Sequence, residues 1–143
     1  ENKEFNSSEW PLHITLLGNF NTETSESDLV ETLSNHIKNI RPFDSKVGEE
    51  AFFGPNKDVP VNTMEMSKEI MELHGSLKKL VDSTGAVYDS PQYVGKNYRP
   101  HATVQKADKV HQNEIVRINS LSLVDMEPDM VKGKRRLIKT FNF

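Results

Sequence analysis

Hydrophobic side chains recur at helical spacing in two stretches of the chain. The first stretch follows a capping signal at Thr24 or Ser25 and ends before Pro42. The second runs from about Ser67 to Ser83. The apolar positions of the first stretch are Leu29, Val30, Leu33, Ile37 and Ile40. Those of the second are Ile70, Met71, Leu73, Leu77, Leu80 and Val81. Because residues three and four apart share one face of a helix, the pattern predicts two amphipathic helices.

The segments around these helices have the pattern of short strands. Residues 12–17 and 101–105 alternate between apolar and polar side chains, which is typical of a half-buried strand. The other predicted segments are extended runs at 43–53, 59–66, 114–124 and 135–143, a turn at 54–57, a loop at 86–99 and a frayed polar start at 1–9. The order β-α-β-β-α-β-β-β predicts an α+β protein, with helices packed on one side of mostly antiparallel sheets.

Two of these short segments resemble each other. Trp10-Pro11-Leu12-His13-Ile14-Thr15-Leu16 lines up with Tyr98-Arg99-Pro100-His101-Ala102-Thr103-Val104. Each copy has an aromatic residue, a proline shortly before a histidine, and then a threonine and an aliphatic residue, and the two histidines are 88 residues apart. Side chains alternate between the faces of a strand, so the histidine and the threonine of each copy share one face. The apolar neighbours face the other way, towards the expected core.

Composition and charge exclude several classes of protein. The chain has 143 residues and a net charge of −3, so one domain over residues 1–143 is expected, and a strongly basic nucleic-acid coat is excluded. It has no cysteine, which excludes disulfide scaffolds, cysteine-ligated metals and thiol nucleophiles. No apolar run approaches the ~20 residues of a membrane span, and no signal-peptide core is visible. A cytoplasmic protein without membrane contact is therefore expected. The sequence leaves the oligomeric state open, and a monomer is favoured.

Two imidazoles and two hydroxyls on one surface suit phosphodiester chemistry. A neutral imidazole can take a proton from the attacking oxygen while a protonated one gives a proton to the leaving oxygen. Two threonine hydroxyls can donate to the non-bridging phosphate oxygens, where charge develops. Which histidine acts as acid stays open. No cofactor is needed for this chemistry, and no metal site is expected, because neither His-Glu-x-x-His nor a carboxylate cluster occurs at ligand spacing.

In these motifs the chain resembles the 2H phosphoesterase superfamily, which includes 2′-5′ RNA ligase-like proteins and cyclic phosphodiesterases. Residues 13–16 and 100–104 match the family's His-x-Thr/Ser-x motifs, and residues 136–143 are similar to its last strand. The resemblance implies a bilobal α+β fold with antiparallel sheets, helices packed outside and a central cleft. It also implies a catalytic set in that cleft, which consists of His13, Thr15, His101 and Thr103.

Residues near the second motif are expected to bind the substrate. Tyr93 and Tyr98 precede it, and an aromatic ring beside a nucleotide site can stack on a base. Lys96 and Arg99 in the same loop can bind a phosphate. Gln105 takes the position at which many relatives carry an arginine. Core packing is an equal alternative for the two tyrosines, and solvated surface charge is the alternative for the two cations.

Other histidines, aromatic residues and charged runs are given structural roles. Those expected at helix surfaces or in an exposed turn are His36, His74 and His111. Those expected to fill the core are Phe52, Phe53 and the methionines at 64, 66, 71, 126 and 130. The basic run 132–136 is expected to form a charged hairpin with the acidic run 125–129, and a weak contact with an RNA backbone is the alternative.

The paired motifs favour an enzyme. The predicted activity is metal-independent hydrolysis or transfer at a nucleotide or RNA-end phosphodiester, either a 2′,3′-cyclic phosphate or a 2′-5′ linkage. Two alternatives stay open: a module that binds RNA ends or a cyclic nucleotide without turnover, and a hydrolase of a 2′-5′-linked or cyclic oligonucleotide signal. Intact histidines in both motifs favour catalysis, because a binding module does not need two proton carriers.

Overall fold

Antiparallel strands and helices make up both parts of the molecule. The structure is a computed structural model that describes residues 2–106 and 108–143. The chain divides into two compact units. The terminal unit consists of Glu1–Pro11, Thr24–Phe43 and Ile118–Phe143, and the motif unit consists of Leu12–Glu23 and Asp44–Arg117. Both His-x-Thr motifs lie in the motif unit.

The secondary structure confirms the predicted α+β class. In the described residues the strands are β1 (Lys3–Asn6), β2 (Phe20–Asn21), β3 (Phe43–Phe53), β4 (Val59–Met64), β5 (Val87–Tyr88), β6 (His101–Thr103), β7 (Ile115–Ile118), β8 (Ser120–Asp125) and β9 (Lys134–Asn142). The helices there are α1 (Glu26–Ile37) and α2 (Lys68–Asp82), and short 3-10 turns lie at Ser7–Glu9, Pro91–Tyr93, Gly95–Asn97 and Pro128–Met130. Every pair of strands with an assigned register is antiparallel.

Both helices begin at the serines that precede their apolar stretches. The Ser25 hydroxyl accepts a hydrogen bond from the Asp28 amide at 3.2 Å, and the Ser67 hydroxyl accepts one from the Ile70 amide at 3.2 Å. Such a cap contributes about 1 kcal/mol to helix stability. The helical spacing is confirmed, except that Ile40 lies beyond the end of α1. None of the described helices is long and apolar enough to cross a membrane.

The terminal unit contains a three-stranded sheet in the order β1-β9-β8, and α1 packs against β9. The expected frayed start is wrong for residues 3–6, because β1 pairs with β9 in a register that sets Lys3 opposite Leu137. Backbone hydrogen bonds can hold a polar strand without any hydrophobic pattern in its sequence. The same expectation for Glu1 lies outside the described residues.

The basic run forms ion pairs with residues of the same terminal unit. Arg136 lies opposite Asp125 in the hairpin of β8 and β9, at 3.1 Å, and its guanidinium also binds Glu26 at 2.6 Å. The hydrogen bond from Arg136 holds the pKa of the Glu26 carboxyl below its usual value. The guanidinium of Arg135 lies over the Trp10 ring. The charged hairpin is therefore confirmed for this pair of arginine and aspartate.

The motif unit is built on a four-stranded sheet in the order β6-β4-β3-β7. One face of the sheet packs in a hydrophobic cluster, whose members are Val47, Met64, Ala102 and Val110 with the half-buried Leu12, Ile14 and Val116. The buried face of α2 consists of Ile70, Leu73, His74, Leu77 and Val81. Strands β2 and β5 form a separate antiparallel pair. The second motif thus lies in a sheet that has a packed core on one face.

Several expected core residues and strands differ in the structure. Phe52 is 64% exposed, and Met66 and Met130 are also exposed, so their expected core role is wrong. Residues 12–17 form no extended strand; only Ile14 makes a β-bridge. The extended run predicted at 114–124 is two strands, β7 and β8. Hydrophobic pattern reports which side chains favour burial, but neighbouring chains decide which backbone groups are paired.

Candidate active site

An antiparallel bridge between Ile14 and Ala102 brings the two motifs together. Ala102 belongs to the hydrophobic cluster of the motif unit, and Ile14 packs against that cluster. Both bridge residues therefore face the core. Since side chains alternate along an extended chain, the residues on either side of each bridge residue face away from the core.

An antiparallel register through this bridge predicts that the four motif side chains share one surface. Continued by one residue on either side of the bridge, that register would set His13 across from Thr103 and Thr15 across from His101. In a regular antiparallel pair, directly opposed residues have Cβ atoms about 4.5–5.5 Å apart, and diagonal neighbours are about 7–8 Å apart. In this register the two histidines would be diagonal neighbours. All four residues are half-buried. Two imidazoles at such a separation can approach one phosphate from two sides.

The imidazole of His101 is oriented by the backbone and by an aromatic ring. Its Nδ1 lies 2.8 Å from the carbonyl oxygen of Arg99. A carbonyl can only accept, so Nδ1 carries a hydrogen and donates it. The Phe53 ring packs edge-on against the imidazole, with the ring centroids 4.7 Å apart. Nε2 is therefore the nitrogen left to exchange a proton with a substrate, and Phe53 supports the site instead of filling the core.

A cation lies next to this aromatic contact. The guanidinium of Arg99 is 4.6 Å from the centroid of the Phe53 ring, which is within the range of a cation–π interaction. Arg99 is exposed and lies two residues before His101. The Phe53 ring thus contacts both His101 and Arg99. We call the surface expected to carry His13, Thr15, His101 and Thr103 the motif face, and the charge of Arg99 lies near its His101 end.

A shallow depression of about 570 Å³ borders Arg99. It is lined by four of the residues expected to bind substrate, and its other lining residues are Met66, Gln92 and Asn97. The four are Tyr93, Lys96, Tyr98 and Arg99. The Tyr93 side chain is 63% exposed, so its ring is open to a ligand. Gln105 is not part of this depression; its backbone amide and carbonyl form a turn with Asp108.

Tyr98 is not available to stack on a base, so that expectation is corrected. The residue is only 6% exposed, and its ring lies parallel to the His74 imidazole with centroids 3.9 Å apart. Its hydroxyl donates a hydrogen bond of 2.8 Å to the carbonyl oxygen of Thr15. Burial raises the pKa of this phenol well above its usual value, so the hydroxyl keeps its proton. Tyr98 therefore supports the backbone of the first motif through the Thr15 carbonyl.

His74 was expected near the surface of α2 and is instead 2% exposed. Its Nδ1 lies 2.7 Å from the carbonyl oxygen of Leu16, and its Nε2 accepts a hydrogen bond of 2.9 Å from the Gly95 amide. The sequence did contain a signal for this burial, because position 74 continues the helical spacing of Ile70 and Leu77. The prediction placed His74 at the surface because its side chain is polar. In the structure both ring nitrogens have hydrogen-bond partners, which offsets the cost of burying them.

Strand β4 pairs with β6 along the edge opposite the bridge to Ile14. Thr63 of β4 lies across from His101, and its hydroxyl donates to the Glu49 carbonyl at 3.0 Å. The pairing of β3 with β4 contains a bulge at this point, where Gly48 approaches closely. A Cβ atom on Gly48 would lie 2.8 Å from the Thr63 hydroxyl oxygen. The absence of a side chain at Gly48 is therefore a requirement of the sheet next to His101.

The donor groups of the motif face are imidazoles and hydroxyls. Within residues 2–106 and 108–143, no group of three or more histidine, cysteine, aspartate or glutamate side chains is arranged to hold a metal ion. The arrangement can orient a phosphate by hydrogen bonds and move protons at two nitrogen atoms.

Comparisons with known proteins bear on the family and the fold of this chain. The family model of the 2′-5′ RNA ligase superfamily matches residues 2–120. The crystal structure of TT0787 of Thermus thermophilus is similar with a TM-score of 0.59 and 18% identity, over 92% of this chain and 77% of that one. At that identity the likeness concerns the fold, which is of the 2H phosphoesterase type. No curated protein sequence matches significantly. The chain belongs to the 2′-5′ RNA ligase superfamily, which indicates an activity of the phosphoesterase or ligase type.

Proposed function

We propose that the protein is a metal-independent phosphodiesterase that acts on a nucleotide or RNA end, at a 2′,3′-cyclic phosphate or a 2′-5′ linkage. The observation that supports this most strongly is the bridge between Ile14 and Ala102, since an antiparallel register through it is expected to turn both His-Thr pairs to the same surface. Membership of the superfamily supports the general type of reaction.

In the proposed mechanism, His13 and His101 act as a pair of proton carriers. The neutral imidazole takes a proton from water as the water oxygen attacks phosphorus. The protonated imidazole gives a proton to the leaving ribose oxygen as the P–O bond breaks. A cyclic phosphate thereby opens to a monoester with the net addition of one water. If a ribose hydroxyl of a second nucleotide attacks the cyclic phosphate in place of water, the same two proton transfers join the two nucleotides, so one pair of imidazoles can serve hydrolysis or ligation.

The hydrogen bond from His101 Nδ1 to the Arg99 carbonyl supports such a role. It fixes the ring so that Nε2 is a lone-pair acceptor in the neutral state and a donor in the protonated state. The hydroxyls of Thr15 and Thr103 are proposed to donate to the non-bridging oxygens, where negative charge grows in the transition state.

The loop before the second motif is proposed to hold the rest of the substrate. Arg99 and Lys96 supply positive charge for a phosphate, and the exposed Tyr93 ring supplies a surface for a base. Gln105, two residues after Thr103, is proposed to add an amide contact. Tyr98 has no part in stacking on a base.

The test is turnover of defined phosphodiesters. A 2′,3′-cyclic mononucleotide, a 2′-5′ dinucleotide and a 3′-5′ dinucleotide are incubated with the protein in excess chelator, and products are separated by chromatography. We expect turnover of one of the first two and a bell-shaped dependence of rate on pH, because one imidazole must be neutral and the other protonated. His111→Ala is the control, since His111 lies in an exposed turn. Tight nucleotide binding without turnover would favour the binding module instead.

A further inference from the structure

We propose that His74 and Tyr98 are positioning residues for the reaction: together they fix the backbone of the first motif relative to the second. This inference rests on the proposed function. Neither side chain is on the motif face, and both are buried. Each hydrogen-bonds to one of two consecutive carbonyls in the first motif, those of Thr15 and Leu16.

The hydrogen bonds of His74 determine its protonation state. The Gly95 amide can only donate, so Nε2 of His74 accepts and carries no hydrogen. The Leu16 carbonyl can only accept, so Nδ1 carries the hydrogen and donates it. His74 is thus a neutral imidazole that binds both segments at once. Leu16 belongs to the first motif, and Gly95 opens the 3-10 turn that leads into the second.

Tyr98 continues this connection towards the reacting groups. Its ring stacks on His74 with an angle of 3° between the planes, and its hydroxyl reaches the Thr15 carbonyl. The next residue, Arg99, accepts the hydrogen bond of the His101 imidazole. Consecutive contacts therefore run from α2 through Tyr98 to both motifs. A shift of the Tyr98 backbone is transmitted to the ring orientation of His101.

The first motif needs such support because, among the described residues, its β-pairing is limited to the bridge at Ile14. Beyond that residue, the carbonyls of Thr15 and Leu16 are bound by side chains. The directions of the His13 imidazole and the Thr15 hydroxyl follow from that backbone. A misplacement of about 1 Å at a reacting group can lower a rate about 10²-fold.

Side-chain chemistry distinguishes positioning from core filling. A leucine at position 74 would fill similar space, but it would leave the Leu16 carbonyl and the Gly95 amide without their present partners. A glutamine at that position carries one donor and one acceptor, as this tautomer of histidine does. Tyr98→Phe keeps the stacked ring and removes only the bond to Thr15. Leu77→Ala is the matched control, because Leu77 is buried on the same face of α2.

The experiment measures kcat and KM of these variants on the phosphodiester that the wild type turns over, at a temperature where circular dichroism shows each to be folded. We expect kcat to fall about 10²-fold in His74→Leu and about 10-fold in Tyr98→Phe, with KM changed less than about twofold. His74→Gln should recover at least about 10-fold of the loss in His74→Leu. Leu77→Ala should unfold at lower urea concentration with wild-type kcat. Wild-type kcat in folded Tyr98→Phe, or an equal loss in Leu77→Ala, would overturn the proposal.

A second measurement separates this proposal from the proposed function. Two-dimensional NMR of the histidine side chains reports the tautomer of His74 and the surroundings of His13 in the full chain, without any turnover. We expect the Nδ1–H tautomer at His74 and a larger shift of the His13 signals in Tyr98→Phe than in Leu77→Ala. If the wild type cleaves none of the phosphodiesters but these shifts are seen, the proposed function fails and the positioning contacts stand. The opposite shift pattern removes the positioning role whatever the activity.

Discussion

The two motifs share the His-x-Thr pattern, but their backbones are supported very differently. The second motif is strand β6, paired residue by residue with β4 from His101 to Thr103. The first motif has one bridge, at Ile14, and two carbonyls held by the side chains of Tyr98 and His74. A shared pattern of side chains therefore does not require shared secondary structure. We propose that what the two motifs share is the surface on which their histidines and threonines lie.

The sharpest test of this comparison replaces each histidine. If the motifs are equal in chemistry despite unequal support, His13→Ala and His101→Ala should each lower the rate about 10²–10⁴-fold, since each removes one proton carrier. The double variant should lose much less than the product of the two, because the pair acts as a unit. Single-turnover rates on the preferred substrate measure this. A near-native rate for either single variant would remove that histidine from the site.

The threonines should show a smaller effect. Thr15→Val and Thr103→Val replace a hydroxyl by a methyl group of similar size, and each should lower kcat by up to about 10²-fold if the hydroxyl stabilises the transition state. Measurement of kcat beside the midpoint of urea unfolding separates loss of chemistry from loss of fold. Loss of activity in only one of the two variants would show that the phosphate is bound from one motif alone.

Gly48→Ala tests the sheet that supports the second motif and leaves the residues of the first motif unchanged. The added Cβ would lie 2.8 Å from the Thr63 hydroxyl oxygen and 3.1 Å from its carbonyl oxygen. The crowding should destabilise the protein by about 1–3 kcal/mol. Gly75→Ala is the control: no atom lies within 4 Å of its Cβ position, and alanine favours a helix interior by about 0.5–1 kcal/mol. Urea unfolding should move in opposite directions for the two variants, and equal midpoints would contradict the close approach.

The two tyrosines before the second motif provide the smallest expected effect. Tyr93 is exposed in the depression, so Tyr93→Ala should raise KM about 10-fold for a substrate with a stacked base and leave kcat near wild type. The buried Tyr98 should show the reverse, with kcat lowered and KM kept. Steady-state kinetics on a dinucleotide and on a cyclic mononucleotide make the comparison. An unchanged KM for both substrates in Tyr93→Ala would place the base elsewhere.

Much of the fold could be predicted because it depends on local pattern. Apolar residues three and four apart, with a serine in front, are enough to place α1 and α2, since both signals act within a few residues. Strand β1 could not be predicted, because its polar residues are held by hydrogen bonds to β9 at the far end of the chain. A pattern within residues 3–6 contains no information on that partner.

For the candidate site, too, one part could be predicted from the sequence and another part depends on tertiary contacts. The repeated motif selects two histidines and two threonines, and alternation in a strand predicts that each pair shares a face. That both pairs face the same way depends on the bridge from Ile14 to Ala102, which is a contact over 88 residues of sequence. The exposures of Tyr93 and Tyr98 likewise follow from neighbours, although the two lie in one loop and have the same chemistry.

The sequence by itself determined which chemistry the protein carries: two imidazoles, two hydroxyls and nearby cations, together with the helices that local spacing specifies. The tertiary structure alone decided how that chemistry is held. Buried polar atoms must find partners, and the partners of the Thr15 and Leu16 carbonyls lie on α2 and in the loop before the second motif. For that reason His74, a polar residue expected at the surface, became part of the interior that supports both motifs.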